Sequence, residues 1–356
     1  MVGEEGYDVD ENIGTSALFP FSAIVGHNML KRGLILNLIN KDIGGVLIKG
    51  DKGTGKSLTV NSFENILPTI EVVKGCNFNC SPEEPEKFCL ECKEKHEEGT
   101  IQTTEKKMQV INLPLNITED RLIGTIDVEK VLQEGVKSFE PGLLARANRN
   151  ILYIDQINLL DHSIVDLLLD VAAMKSVTVE REGISTDYLS DFTMIASMNP
   201  EEGFLRPQLL DRFSLQIETE TISESRSRVD LIKRNREYIE DKLGMISKYE
   251  DDEKRLINRI KGAQKRLPRV TISDELLSLV CTVCREFDVD GHRGDIIIMR
   301  VAVTNAAYEG REEVSLEDVL LASEMALPHR MRSKPFQKEK FSREKLENVV
   351  DEYWDR

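Results

Sequence analysis

The sequence predicts an α/β fold: a parallel sheet with helices on both faces, followed by a smaller, all-helical domain. Three observations carry the prediction. Apolar runs of strand length alternate with stretches of helical period down to about residue 220. A glycine-rich segment, Gly50 to Ser57, joins the first buried strand to a helix. After Ser223 the strand signal stops and charged helical segments take over.

Residues 1–18 read as an acidic arm, with order expected from Phe19-Pro20-Phe21 onward. Ala23 to Ile39 carries Met29, Leu30, Leu34, Ile35 and Leu38 at helical spacing, and Gly44-Gly45 breaks that pattern. Val46-Leu47-Ile48 is a short buried strand. A helix is expected from Lys56 to about Leu67, then strands at Glu71-Val72-Val73 and at Val110 to Leu113. Between those two strands, residues 74–107 read as a charged, cysteine-bearing loop. Helices are expected over 127–137 and from Leu143 to Asn148. Ile151 to Asp155 is an apolar run ending in acid, the mark of a strand buried on both faces. His162 to Lys175 is a helix, and residues 177–185 form a hairpin turning at Arg181-Glu182-Gly183. Thr193 to Ser197 is a further central strand and Ser214 to Glu218 the last one. The α/β domain thus spans 19–222. Connecting helices occupy 223–266, and a helical domain occupies 267–356, with caps at Ser273-Asp274-Glu275 and Ser315-Leu316-Glu317-Asp318.

Composition narrows the function. A chain of 356 residues suggests about two domains. At 40% hydrophobic and 31% charged it has a core to bury and is not generally disordered. Lys plus Arg is 47 against 63 Asp plus Glu, a net charge of −16, which argues against a nucleic-acid backbone as partner. No apolar run approaches the ~20 residues of a membrane span, and the start, MVGEEGYDVDENIG, lacks the basic-then-apolar order of a signal peptide. A cytoplasmic protein is the expectation.

Gly50-Asp51-Lys52-Gly53-Thr54-Gly55-Lys56-Ser57 fits the phosphate-loop pattern GxxxxGK[ST], in the required strand–loop–helix setting. Glycines let backbone N–H groups approach phosphate oxygens. Lys56 places a point charge on the outer phosphates, Ser57 offers a hydroxyl to Mg²⁺, and the helix N-terminus adds partial positive charge. Asp155, at the carboxyl edge of the sheet, is the metal's acidic partner. Gln156 follows it; an amide orients water but is no general base at neutral pH. Either hydrolysis is slow or leans on another group, or the chain has been altered to trap bound ATP. Asn199 is placed to hold the attacking water, or else simply to form the turn before Pro200. Arg212, in LLDRF, and Arg293, in GHRGD, are candidates to meet phosphate charge, against the plainer readings of a surface ion pair with Asp211 for the first and a solvated arginine for the second.

These residues, in this order, resemble the AAA+ motor-subunit family of magnesium chelatase. The likeness spans roughly residues 17–330 and includes FPFSAIVGHNMLKRGLILN, IGGVLIKGDKGTGKS, LPLNITEDRLIGTID, FEPGLLARANRNILYID, HSIVDLLLDVA, VEREGIS, MNPEEGFLRPQLLDRF and DGHRGDI. Ile24 and Val25, in the first phrase, complete the expected nucleotide-binding set. The resemblance implies a P-loop NTPase fold with a helical lid, ATP and Mg²⁺ as cofactors, and a hexameric ring with active sites between subunits. It implies that Arg212 acts across the interface, that Arg293 is the lid sensor, and that the hairpin faces partners. Two partners are implied: a second AAA+ subunit carrying an adhesion-type domain, and a large tetrapyrrole-binding subunit. Related ATPases serve cobalt insertion, so the metal is Mg²⁺ or Co²⁺. The family normally has Glu where Gln156 stands, which bears on turnover rather than binding. The competing readings are a MoxR-like remodelling chaperone, a DNA-unwinding ring and an ATP-binding switch.

Cys76, Cys80, Cys89 and Cys92 form Cx₃C…Cx₂C within one loop, a pattern for Zn²⁺ or an iron–sulfur cluster, with His96 as a substitute ligand. Free thiols or a redox disulfide are the plainer readings. Cys281 and Cys284 sit on a helical stripe with Leu277, Val280 and Phe287 and read as core thiols.

Overall fold

The computed structural model describes residues 18–126, 139–181, 184–331 and 341–355. The helix expected over 127–137, the hairpin tip at 182–183 and nearly all of the acidic arm lie outside those residues. The strands are β1 (Gly45–Gly50), β2 (Thr69–Val73), β3 (Thr103–Lys107), β4 (Val110–Leu113), β5 (Gly124–Ile126), β6 (Phe139–Pro141), β7 (Ile151–Ile154), β8 (Ser176–Arg181), β9 (Ile184–Leu189), β10 (Thr193–Met198) and β11 (Phe213–Thr219).

Five of them make one sheet in the order β11-β1-β10-β7-β4, and every pairing is parallel. Side chains alternate between two apolar layers, as the strand period requires. Val46, Ile48, Ile151, Tyr153, Ile195, Leu215 and Ile217 point into one layer, with the helix Asn28–Ile39. Leu47, Leu152, Ile154, Met194 and Ala196 point into the other, with the helix His162–Met174; a register irregularity at the start of β11 puts Phe213 there as well, out of step with Leu215. Coverage on both faces explains why β1, β7 and β10 read as apolar runs rather than alternating patterns.

Two readings need correction. The strand at Glu71–Val73 does not join the sheet: β2 pairs antiparallel with β3. Thr69 and Glu71 are exposed, and a strand with such a face does not fit a sheet covered on both sides. Residues 74–107, read as loop, contain the helix Leu90–Glu97 and all of β3. Every β3 residue, TTEKK, is exposed, so no hydrophobic period marks it. The β5–β6 pair also went unread.

The connecting helices, Ser225–Glu240 and Lys242–Arg266, break at Asp241, whose carboxylate accepts from the Gly244 N–H at 2.9 Å. The helices Asp274–Glu286, Arg293–Tyr308 and Leu316–Ala326 follow, with Arg343–Trp354 packed on the first of them. Both expected caps form: Ser273 accepts from Leu276 N–H, and Ser315 with Asp318 makes a capping box. These helices share the apolar layer of Asn28–Ile39 and are pinned to the start of β11. Arg330 donates to the Phe213 and Ser214 carbonyls at 2.7 and 2.8 Å, and His329 Nε2 lies 2.8 Å from the Phe213 oxygen. Cys284 is buried as expected, whereas Cys281 is exposed.

Candidate active site

The phosphate loop leaves the carboxyl end of β1, between β10 and β11, and enters the helix Lys56–Ser62. Its glycines are required. Gly53 and Gly55 have φ of +83° and +85°, in the left-handed region, and a Cβ on Gly50 would collide with Thr219 of β11. Thr54 Oγ1 donates to the Asp51 carbonyl at 3.0 Å, while Asp51 and Lys52 are exposed. The Lys56 ammonium is nearly enclosed and donates to the carbonyls of Gly50 at 2.8 Å and Asp51 at 2.6 Å. Burial lowers its pKa, and the nearby carboxylates of Asp155, Asp51 and Glu202 oppose that shift.

Opposite the loop, the Ser57 hydroxyl donates to Asp155 Oδ2 at 3.0 Å. The Tyr153 hydroxyl reaches Asp155 Oδ1 at 3.1 Å and Ser57 Oγ at 3.2 Å. Burial pushes Tyr153 up to about 12, so it stays a neutral donor. Ser197 Oγ donates to Asp155 Oδ1 at 2.5 Å and accepts the Gln156 N–H at 3.0 Å. Asp155 is thereby fixed in orientation before any ligand arrives. Gln156 itself sits at φ +58°, with its side-chain amide 3.5 Å from Glu202 Oε1. Asn199 is buried beside this cluster at the end of β10. Its side-chain oxygen caps the turn Pro200–Glu202, accepting from the Glu201 N–H at 3.2 Å.

Ile24 is buried and Val25 half-buried, and the following Gly26-His27 brings the chain against the loop. Burial lowers the His27 pKa; a bond to the Thr54 backbone opposes the shift, and Lys31 and Lys56 add to it.

The two arginines lie elsewhere. Arg212 and Arg293 line one hollow with Gly44, Gly45, Thr193 and Met194, at the amino ends of β1 and β10. This is the edge of the sheet opposite the phosphate loop. Arg293 pairs with Asp211 at 2.8 Å. The expectation that it reaches the chain's own phosphates from the helical domain does not hold in this geometry. Docking of that domain on the start of β11 carries the first turn of Arg293–Tyr308 to the far edge. Arg212 is there because it immediately precedes β11.

Cys76, Cys80, Cys89 and Cys92 are buried free thiols whose sulfur atoms all lie within 4.8 Å of one another. His96 stands outside that group, its ring edge-on to Phe88 at 5.6 Å.

Sequence reasoning missed Tyr153, Ser197, Glu202 and Thr219. Two of them were signalled. Tyr153 is two residues before Asp155 and so on the same side of the strand, and Ser197 is a hydroxyl inside an apolar strand.

The arrangement is that of an AAA ATPase, and family profiles agree. An AAA domain (dynein-related subfamily) matches residues 98–213 and an AAA lid domain residues 277–349. The chain is 49% identical over 336 residues to a magnesium-chelatase subunit ChlI homolog of Methanocaldococcus jannaschii, covering 94% of this chain and 92% of that one. It is 47% identical over 321 residues to magnesium-chelatase subunit ChlI of Nostoc sp., covering 90% and 86%. This chain belongs to the magnesium-chelatase ChlI subunit family. Among solved structures, a chain of the complex between subunits BchI and BchD of magnesium chelatase aligns with a TM-score of 0.51 at 39% identity, covering 89% of this chain and 97% of that one. A putative ATPase of Cytophaga hutchinsonii shares the fold, with a TM-score of 0.62 at 16% identity over 93% and 91% of the two chains. No helix among the described residues is long and apolar enough to cross a membrane.

Proposed function

We propose that this chain is the ATP-hydrolysing motor of a metal chelatase, working in a ring of copies to drive insertion of Mg²⁺ or Co²⁺ into a tetrapyrrole held by a partner subunit. The observation that carries the reading is the placement of the two halves of a site on opposite edges of one sheet. Lys56, Ser57 and Asp155 stand at one edge and Arg212 with Arg293 at the other. Neither half is complete alone; stacked copies of the chain bring one edge against the other. A ring, hexameric by kinship, follows from that complementarity.

In this reading the loop N–H groups and Lys56 cradle the β- and γ-phosphates. Ser57 and Asp155, 3.0 Å apart, would hold the nucleotide's Mg²⁺, whose charge would offset that building on the phosphate oxygens. Gln156 and Asn199 orient water. The Gln156 amide donates to Glu202 at 3.5 Å, and that carboxylate takes the proton that an amide does not. Arg212 and Arg293 of one copy meet the phosphate charge bound by the next.

No described hollow is an aromatic-lined tetrapyrrole pocket, so chelation itself is assigned to partners: a second AAA+ subunit with an adhesion-type domain and a large tetrapyrrole-binding subunit. Metal insertion assayed with those subunits should require both this chain and ATP; insertion that proceeds without the chain refutes the reading. A second reading, an ATP-binding switch whose neighbour hydrolyses, is favoured by Gln156 alone, and turnover of the purified chain decides between them.

A further inference from the structure

The segment from Lys74 to Gln102 is poorly supplied with apolar side chains. Its local core consists of Val73, Phe88 and four cysteines, with Phe78 and Ile101 half-buried against them. The helix Leu90–Glu97 reads LECKEKHE, and only Cys92 of it is buried. Eight such residues do not make a stable helix alone, and its buried anchorage to the rest of the segment is Cys92 and the preceding Cys89, with His96 edge-on to Phe88 outside it. Something besides hydrophobic burial has to hold this excursion.

The sulfur geometry says what. A tetrahedral ion bound at about 2.3 Å by four thiolates sets its sulfur atoms about 3.8 Å apart. Here all four lie within 4.8 Å of one another, and Cys76 and Cys89 are separated by 3.9 Å. A polynuclear iron–sulfur cluster distributes its thiolates over several irons and spreads them further. Cys76 and Cys80 come from one turn, and Cys89 and Cys92 from the start of one helix, the paired-knuckle supply of a closed structural site. Backbone N–H groups already point at the sulfurs, Phe78 to Cys76 and Cys89 to Cys80, each at 3.3 Å, as outer-shell donors to metal thiolates do.

We propose that Cys76, Cys80, Cys89 and Cys92 bind a single Zn²⁺ ion in a closed tetrahedral site that locks this excursion to the foot of β7. The lock is visible in the turn between the first two cysteines. Asn79 is buried and donates to the carbonyls of Arg146 and Asn148, at 3.3 and 3.1 Å, while Asn148 donates back to the Phe78 carbonyl at 2.7 Å. Arg149 donates to the carbonyls of Glu71 at 2.7 Å and Asn79 at 3.3 Å. Two residues further on the chain enters β7, which ends at Ile154, one residue before Asp155. On the other side Phe78 packs against Tyr188 of β9 at 5.1 Å, and Tyr188 donates to the Ile123 carbonyl at 2.5 Å. The ion therefore organises the ground on which both the acidic strand and the hairpin stand, without touching nucleotide.

The test is metal analysis of the full-length protein purified without added metal. About one zinc per chain is expected, released to a chromogenic chelator on thiol modification, with a Cys281→Ser control retaining all of it. Replacement by Co²⁺ should give the intense absorption of a tetrahedral tetrathiolate centre. Cys80→Ser and Cys92→Ser should each lose most of the zinc; if either fails to fold, the cobalt spectrum of the unmutated protein still decides. Stoichiometric iron, a cysteine–cysteine disulfide found by mass spectrometry, or a protein that binds neither Zn²⁺ nor Co²⁺ with all four thiols reduced would each overturn the proposal.

Discussion

The two edges of the parallel sheet are built in opposite ways. At the carboxyl edge, the phosphate loop, Tyr153, Asp155 and Ser197 form a bonded network whose members are contributed by three adjacent strands. At the amino edge, Arg212, Arg293 and Asp211 gather around a hollow, held from behind by Arg330 and His329 of the helical domain. The first edge is organised to receive charge; the second presents two arginines far from the phosphate loop, one of them paired with Asp211. The contrast is what the proposed ring rests on: among the described residues, one edge lacks an arginine for the phosphates and the other holds two arginines away from the loop.

The comparison is broken most sharply at Arg212. Arg212→Ala should lower ATP turnover by about 10³-fold or more while leaving Mg·ATP affinity within a few-fold. Mixing that variant with Lys56→Ala protein should restore turnover above either alone, because some interfaces then hold an intact loop facing an intact arginine. Normal turnover by the Arg212 variant would leave the amino edge without a role. At the other edge, Gln156→Glu should raise turnover by about 10²-fold, the low end of general-base effects, and Glu202→Gln in the original background should lower it. A Gln156→Glu rate equal to the unmutated rate would show that the amide is no handicap. Ser197→Ala removes one donor from Asp155 and leaves the Gln156 N–H unpaired; about 1–3 kcal/mol, roughly 5- to 150-fold in kcat at saturating Mg²⁺, is expected. Arg330→Met strips donors from the Phe213 and Ser214 carbonyls and should lower the melting temperature by a few degrees without abolishing nucleotide binding.

The smallest effect concerns acid. Burial holds His329 down at about 3, well below the ordinary value near 6.5. Below pH ~6.5 the unfolded chain takes up a proton that the folded chain excludes, so stability is full above that pH and falls progressively as pH drops toward 3. Urea midpoints at pH 7.5 and pH 5 should differ less in His329→Gln than in the unmutated protein; an identical difference would exonerate this histidine.

The same contrast governs how much could be read from the sequence. The phosphate loop is contiguous, and its glycines, lysine and serine have chemistry tied to spacing. The strands behind it are apolar on both faces, so β1, β7 and β10 were legible. The amino edge is assembled from residues 82 and 116 positions apart, Asp211 with Arg293 and Phe213 with His329, and no local pattern reports such pairings. Which edge Arg293 occupies depended on how the helical domain docks, a tertiary fact. β3 escaped because TTEKK has no apolar period; its pairing with β2 rather than its own side chains makes it a strand. Glu202 was invisible as a partner of Gln156 because 46 residues separate them.

Consider finally the close fit between Gly50 and Thr219, where no side chain larger than hydrogen can be accommodated. Thr219 closes β11, and Thr54 Oγ1 lies 3.4 Å from its hydroxyl. The opposite end of that strand is gripped by His329 and Arg330 and immediately follows Arg212. Seven residues of extended backbone, about 20 Å, thus join the loop's tightest contact to the residue that follows Arg212. In the proposed ring, a shift of the loop would reach Arg212 along this one strand, and successive copies would feel one another's nucleotide through it.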